Sequence, residues 1–138
     1  MRKRTLAREL AMQILYQVDV TRDASSAAID NFWASSNLED TDESVKEFSL
    51  RLVNGVIANI EEIDKKISEY AQNWKLERMA IVDRNIMRLG CFELIYCEDI
   101  PAKVSINEAV DLAKKFSGAE SGKFVNAILD KVKPKEKK

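Results

Sequence analysis

Histidine is absent from this 138-residue chain. Its absence removes the commonest general base, the commonest zinc ligand outside thiolate clusters, and every Ser/His/Asp or Cys/His catalytic arrangement. The two cysteines, Cys91 and Cys97, stand six residues apart. On a helix, at ~100° per residue, they point about a third of a turn away from each other, so neither a disulfide nor a metal pair is expected. Four glycines and two prolines leave almost no punctuation for hairpins. The chain has no secretory h-region and no run of ~18 apolar residues that could span a membrane; with only two isolated thiols, a reducing cytoplasm is the expected compartment. A glycine-rich phosphate loop, a metal-ligand cluster and a paired-carboxylate cleft are missing as well. No catalytic residue, metal or cofactor is therefore expected, and the chain reads as a non-enzyme.

What is present suits one folded core. Hydrophobic residues make up 46% and charged residues 33% of a length too short for two ordinary domains. Apolar spacing is helical throughout, which predicts an all-α protein. A first helix is expected from about Arg4 to Val20, with Leu6, Leu10, Ile14 and Val18 on one line. Ser25 or Ser26 can cap a short second helix carrying Ile29, Phe32 and Trp33. From Asp42 an acidic first turn and the series Val45, Phe48, Leu52, Val56 and Ile60 carry a helical period to about Tyr70, with a break near Asn54-Gly55 or Asn59. The stretch from about Met79 to Cys97 is apolar nearly all round and predicts a central buried helix. Asp99-Ile100-Pro101 stops it, Ser105-Ile106-Asn107-Glu108 reads as a capping box opening the next helix, and Lys114-Lys115 with Gly118 closes that one. A last helix is expected from about Ser121 to Val132. Residues 1–133 form one domain in this reading, and the Lys-rich tail 134–138 is disordered.

Charge is placed unevenly. Residues 1–22 hold five basic and two acidic groups and residues 111–138 eight and four, which leaves −8 on residues 23–110 of a chain whose net charge is −1. If the two ends lie together, Arg2, Lys3, Arg4 and Arg8 join Lys114, Lys115, Lys123 and Lys131 in one basic surface suited to a phosphate backbone. The alternative is a solvated terminus. Arg4 and Arg8, four apart, both fall on the rim of the first helix's apolar face.

Rings free to stack on unpaired bases are few: Tyr16, Tyr70 and Phe124 lie near helix ends or edges, and the others sit on apolar faces expected to be core. Glu93 shares the angle of Val82 and Ile86, so a carboxylate lies on a buried face, where bonding to a neighbouring helix N-terminus is its expected use. A catalytic role for Glu93 lacks a second group to work with. Asp83, Arg84 and Arg88 on the same helix read as solvated or ion-paired.

Four segments, in order, resemble the NusB transcription antitermination factors. The first runs from Arg4 to Tyr16 (RTLARELAMQILY). The second is Val82 to Gly90 (VDRNIMRLG) with Phe92-Glu93-Leu94. The third is Asp99-Ile100-Pro101 with Val104 to Val110 (VSINEAV), and the fourth is Ser121 to Asn126 (SGKFVN) with Ile128-Leu129-Asp130. The resemblance covers nearly the whole chain. It implies about seven helices in two packed subdomains. It also implies binding of single-stranded boxA-type RNA from ribosomal RNA transcripts together with the ribosomal protein NusE, and entry into an RNA polymerase antitermination complex. Carried over by position, the RNA-binding set is Arg2, Lys3, Arg4 and Arg8 at the first helix, Tyr70, and Glu120, Ser121, Lys123 and Phe124 at the last. The partner face is Asp83 with Tyr16. The N-terminal arm has fewer consecutive arginines than some relatives, and Gly122 stands where a larger residue often occurs. Self-association is left open. The competing reading is a helical protein-interaction adaptor whose basic ends are merely solvated.

Overall fold

The computed structural model describes residues 2–35, 37–71 and 73–137. These residues form seven α-helices and one short 3-10 turn: α1 (Lys3–Thr21), α2 (Ser26–Ala34), α3 (Glu43–Ala58), α4 (Ile60–Tyr70), the turn Leu76–Arg78, α5 (Ile81–Tyr96), α6 (Ala102–Phe116) and α7 (Ala119–Val132). Among the described residues there is no strand, and no helix is long and apolar enough to cross a membrane.

Local chemistry sets most of these boundaries. Ser25 Oγ accepts the Ala28 N–H at 3.2 Å and opens α2. Asp42 Oδ1 accepts the Ser44 N–H at 2.9 Å and opens α3, each hydroxyl or carboxylate satisfying a donor that the helix start leaves free. The break expected between residues 54 and 59 falls at Asn59. Its side-chain amide turns back to donate to Gly55 O at 2.8 Å, so the polar group competes with the helix there. Gly55 itself stays helical. A methyl group on it would meet Phe92 Cζ at 2.0 Å, so the missing side chain lets α5 approach α3.

Helix α5 is the axis of the molecule. Residues 85 to 94 are all buried, and α1, α3, α4, α6 and α7 all pack on it, as its apolar circumference requires. An interhelical ion-pair network centred on Asp19 reinforces that packing. Arg84 chelates Asp19 of α1 through Nε and Nη2, both at 2.7 Å. Arg88 spans Asp19 (3.0 Å) and Asp64 of α4 (2.8 and 2.9 Å), which is the ion-paired role expected of both arginines. Burial pushes the Cys91 thiol up to about 12 and raises that of Cys97, so neither is a ready nucleophile.

Three boundaries differ from the sequence reading. Helix α6 begins at Ala102, directly after Pro101, so Ser105 and Glu108 lie inside it, and both side chains turn to other helices instead of capping their own. Helix α7 begins at Ala119, because Gly118 at φ 114 reverses the chain immediately after α6. The tail is not wholly free: Lys137 Nζ donates to the carbonyls of Glu93 and Cys97 at 2.6 and 2.8 Å, taking up oxygens at the C-terminus of α5. Lys138, the end of that tail, lies outside the described residues.

Candidate nucleic-acid interface

The start of α1 carries an exposed arm of Arg2, Lys3 and Arg4. The Arg4 guanidinium lies 4.3 Å from the centre of the Phe48 ring, with those of Arg8 and Arg51 at 5.3 and 5.8 Å. Lys3 pairs with Asp42 at 3.1 Å and Arg51 with Asp99 at 2.6 Å, whereas Arg2 and Arg4 have no carboxylate at ion-pair distance among the described residues.

Arg8 is not on this surface. It is 3% exposed. Its Nε and Nη2 donate to the two oxygens of Glu93 at 2.9 and 2.8 Å, and Nη1 donates to Glu108 at 3.1 Å. Thr5 donates to the same Glu108 oxygen at 2.6 Å, and Ser105 to Glu93 at 2.9 Å. Burial acts to lower the guanidinium's pKa, but the Glu93 hydrogen bonds and the two carboxylate charges outweigh it and raise the pKa. The expectation of a phosphate contact at Arg8 is therefore corrected: the rim of α1 on which it sits is covered by α5 and α6. The same network corrects two further expectations. Glu93 is occupied by Arg8 rather than by a helix N-terminus, and Ser105 with Glu108 serves this junction rather than a cap.

At the first turn of α7, Ser121 Oγ donates to Asp83 Oδ2 of α5 at 3.0 Å. Asp83 Oδ1 is buried without a protein partner. These two residues share a groove of about 340 Å³ with Trp74, Arg78, Glu120 and Phe124. Phe124 is half-buried, and its ring meets that of Trp74 edge-on at 6.0 Å. Trp74 is 57% exposed, unlike Phe32 and Trp33, which are core. Lys123 points outward and pairs loosely with Glu120 at 3.6 Å.

The structure thus joins Glu120, Ser121 and Phe124 to Asp83, which the sequence reading places on a separate partner face. Tyr16, 40% exposed, lies on α1 one turn before Asp19. Tyr70 ends α4 half-buried against the core. Lys115 reaches Glu9 of α1 at 2.6 Å, and with the Thr5–Glu108 bond it ties α6 to the first half of α1. Arg8, Lys115, Lys3 and Lys123 each have a carboxylate within ion-pair distance, Arg8 in the core and Lys3 and Lys123 in exposed pairs.

Trp74 escaped the sequence reading, which placed every ring other than Tyr16, Tyr70 and Phe124 on an apolar face. Its signal was available: Trp74 falls between the helical period ending near Tyr70 and the one beginning near Met79, with polar Asn73 and Lys75 as its neighbours.

The chain is similar to known proteins along nearly its whole length. The model of the NusB family matches residues 5–134 of the chain. The transcription antitermination protein NusB of Myxococcus xanthus is 47% identical over 132 residues, covering 94% of this chain and 93% of that protein. Among solved structures, NusB of T. maritima superposes with a TM-score of 0.83 at 35% identity, covering 96% of this chain and 90% of the other. A crystal structure of the antitermination factors NusB and NusE in complex with dsRNA matches at a TM-score of 0.84 and 30% identity, covering 96% of each chain.

Proposed function

Since the chain belongs to the NusB family, we propose that it is a transcription antitermination factor that binds single-stranded boxA-type RNA of ribosomal RNA transcripts together with NusE. In this reading the pair joins an RNA polymerase antitermination complex in the cytoplasm, and the chain itself catalyses nothing and carries no cofactor. The observation that carries the RNA reading is the exposed Trp74 ring standing edge-on to Phe124 beside Ser121 and Lys123. Aromatic faces of this kind hold unpaired bases, while cations nearby hold the backbone. A protein with this fold solved in complex with NusE and dsRNA supports the RNA and NusE parts of the assignment.

Arg2, Lys3 and Arg4 supply phosphate contacts at one end, and Ser121, Lys123 and Phe124 hold the strand at the other, with Tyr70 and Glu120 completing the set. Asp83 and Tyr16 form the NusE face. Because Ser121 and Asp83 are hydrogen-bonded to each other, the RNA and partner surfaces adjoin at the first turn of α7, and ordering one side favours the other.

Fluorescence anisotropy with boxA-type and scrambled single-stranded RNA, each with and without NusE, tests the reading. Tighter binding of the boxA-type strand, enhanced by NusE, is expected. Equal affinity for both strands with and without NusE would overturn it.

A further inference from the structure

We propose that Lys114 is an RNA-phosphate ligand held in position by Gly122, an assignment that rests on the RNA-binding reading above. In the run Glu120–Phe124, Gly122 is the residue without a side chain, and it is buried. The space over its Cα is filled from α6. A methyl group placed there would come within 2.7 Å of Lys114 Cγ, 3.2 Å of Cε and 3.5 Å of Cδ. Three of the four methylene carbons of Lys114 therefore lie across the first turn of α7, and the ammonium is one bond beyond them. Lys114 occupies the place of the missing side chain in the middle of the proposed RNA segment. A lysine stem readily covers backbone in this way while its charged head stays in water.

Two consequences follow for binding. A lysine free in solvent loses rotamer freedom when it meets a phosphate, whereas a stem already packed on a neighbouring helix has lost much of that freedom on folding. The charge is also uncommitted. Lys115 is bonded to Glu9 at 2.6 Å and Lys123 is paired with Glu120 at 3.6 Å, while Lys114 has no carboxylate at ion-pair distance among the described residues. Gly118 makes the arrangement possible, because its positive φ of 114° turns the chain from α6 straight into α7 and sets Lys114 opposite Gly122. The ligand is one backbone phosphate of the single strand whose neighbours Lys123 and Ser121 contact. An ammonium reads charge and not base identity, so Lys114 adds affinity and salt dependence without sequence preference.

The test is a salt series of anisotropy titrations with boxA-type and scrambled single-stranded RNA, using the intact chain and the variants Lys114→Ala, Lys114→Met, Lys114→Arg, Gly122→Ala and Gly122→Ala/Lys114→Ala. Circular dichroism supplies the folded fraction of each. Lys114→Ala and Lys114→Met should each make the slope of log K against log salt shallower by roughly 0.7, so that affinity falls about fivefold less per decade of salt, on both RNAs alike. Lys114→Arg should retain most of the slope. Gly122→Ala should displace the stem and weaken binding, and should add nothing once Lys114 is alanine. Wild-type slope and affinity in Lys114→Met overturn the phosphate assignment, and strictly additive effects of the two alanine substitutions overturn the role of Gly122. Should Gly122→Ala not fold, loss in Lys114→Met with recovery in Lys114→Arg decides for the proposal, and no difference between them decides against it. A wild-type chain that binds neither RNA overturns the RNA-binding reading and this inference with it.

Discussion

Arg8 and Glu93 meet side by side across the boundary of α1 and α5, with Nε donating to one carboxylate oxygen at 2.9 Å and Nη2 to the other at 2.8 Å, and both side chains are buried. The fork of the guanidinium matches the carboxylate, and Glu108 with Ser105 satisfies further polar atoms of the pair. Burial makes the pair costly to break rather than strongly stabilising in itself, because removing one partner strands a charge in the core.

Arg8→Ala should therefore lower unfolding stability by about 3–5 kcal/mol in urea titrations. RNA affinity per folded molecule and its salt slope should be unchanged. A lost phosphate contact with unchanged stability would return Arg8 to the surface.

Arg4→Ala should behave in the opposite way. Its guanidinium is exposed and rests on the Phe48 ring at 4.3 Å, so stability should fall by no more than about 0.5–1 kcal/mol. The slope of log K against log salt should fall by roughly 0.7, and by about twice that when Arg2 is replaced too. Salt-dependent anisotropy measures both.

Trp74 and Phe124 separate stacking from packing. Trp74 is mostly exposed, so Trp74→Ala should leave urea unfolding nearly unchanged while weakening RNA binding by about 1–3 kcal/mol. Phe124 packs on the core by one side and faces Trp74 by the other, so Phe124→Ala should lose both stability and RNA affinity. Unchanged affinity per folded molecule in both variants would assign the pair to another surface function.

Asp19 carries an acid-sensitive part of the stability. Burial acts to raise its carboxyl pKa, but hydrogen bonds from Arg84 and Asn85 and the charges of Arg88 and Arg84 outweigh it and hold it at about 2, below the ordinary 3.8. A carboxyl whose folded pKa is depressed stabilises the fold above its unfolded pKa and loses that contribution as pH falls through the folded value. Urea midpoints should therefore drop between about pH 4 and pH 2, and Asp19→Asn should flatten that part of the profile. An identical profile in the variant would place the acid sensitivity elsewhere.

Much of this was readable in the chain itself. The helical class, a serine cap at Ser25 or Ser26, the start of α3 at Asp42 and the buried circumference of α5 all follow from spacings of a few residues, where periodicity and capping act. The family resemblance, too, rests on contiguous segments such as SGKFVN at Ser121 to Asn126. Ser105-x-x-Glu108 shows where such local reasoning fails. The spacing suits a capping box, yet Thr5 and Arg8 claim Glu108 from across the molecule, and Ser105 serves Glu93.

The sequence by itself determined which residues are helical, which faces are apolar and that basic groups gather at both ends. Only the tertiary structure decided which basic groups remain available. Arg4 and Arg8 lie on the same rim of one helix, but Arg8 is reached by Glu93 and Glu108, 85 and 100 residues away in the chain, while Arg4 stays in solvent. Lys114 and Lys115 are adjacent in the chain, yet one lies across Gly122 and the other is bonded to Glu9. The physical reason is one of range. A helix's own period places a side chain on a face, but whether that face meets water, a carboxylate or a glycine depends on which distant helix is packed against it.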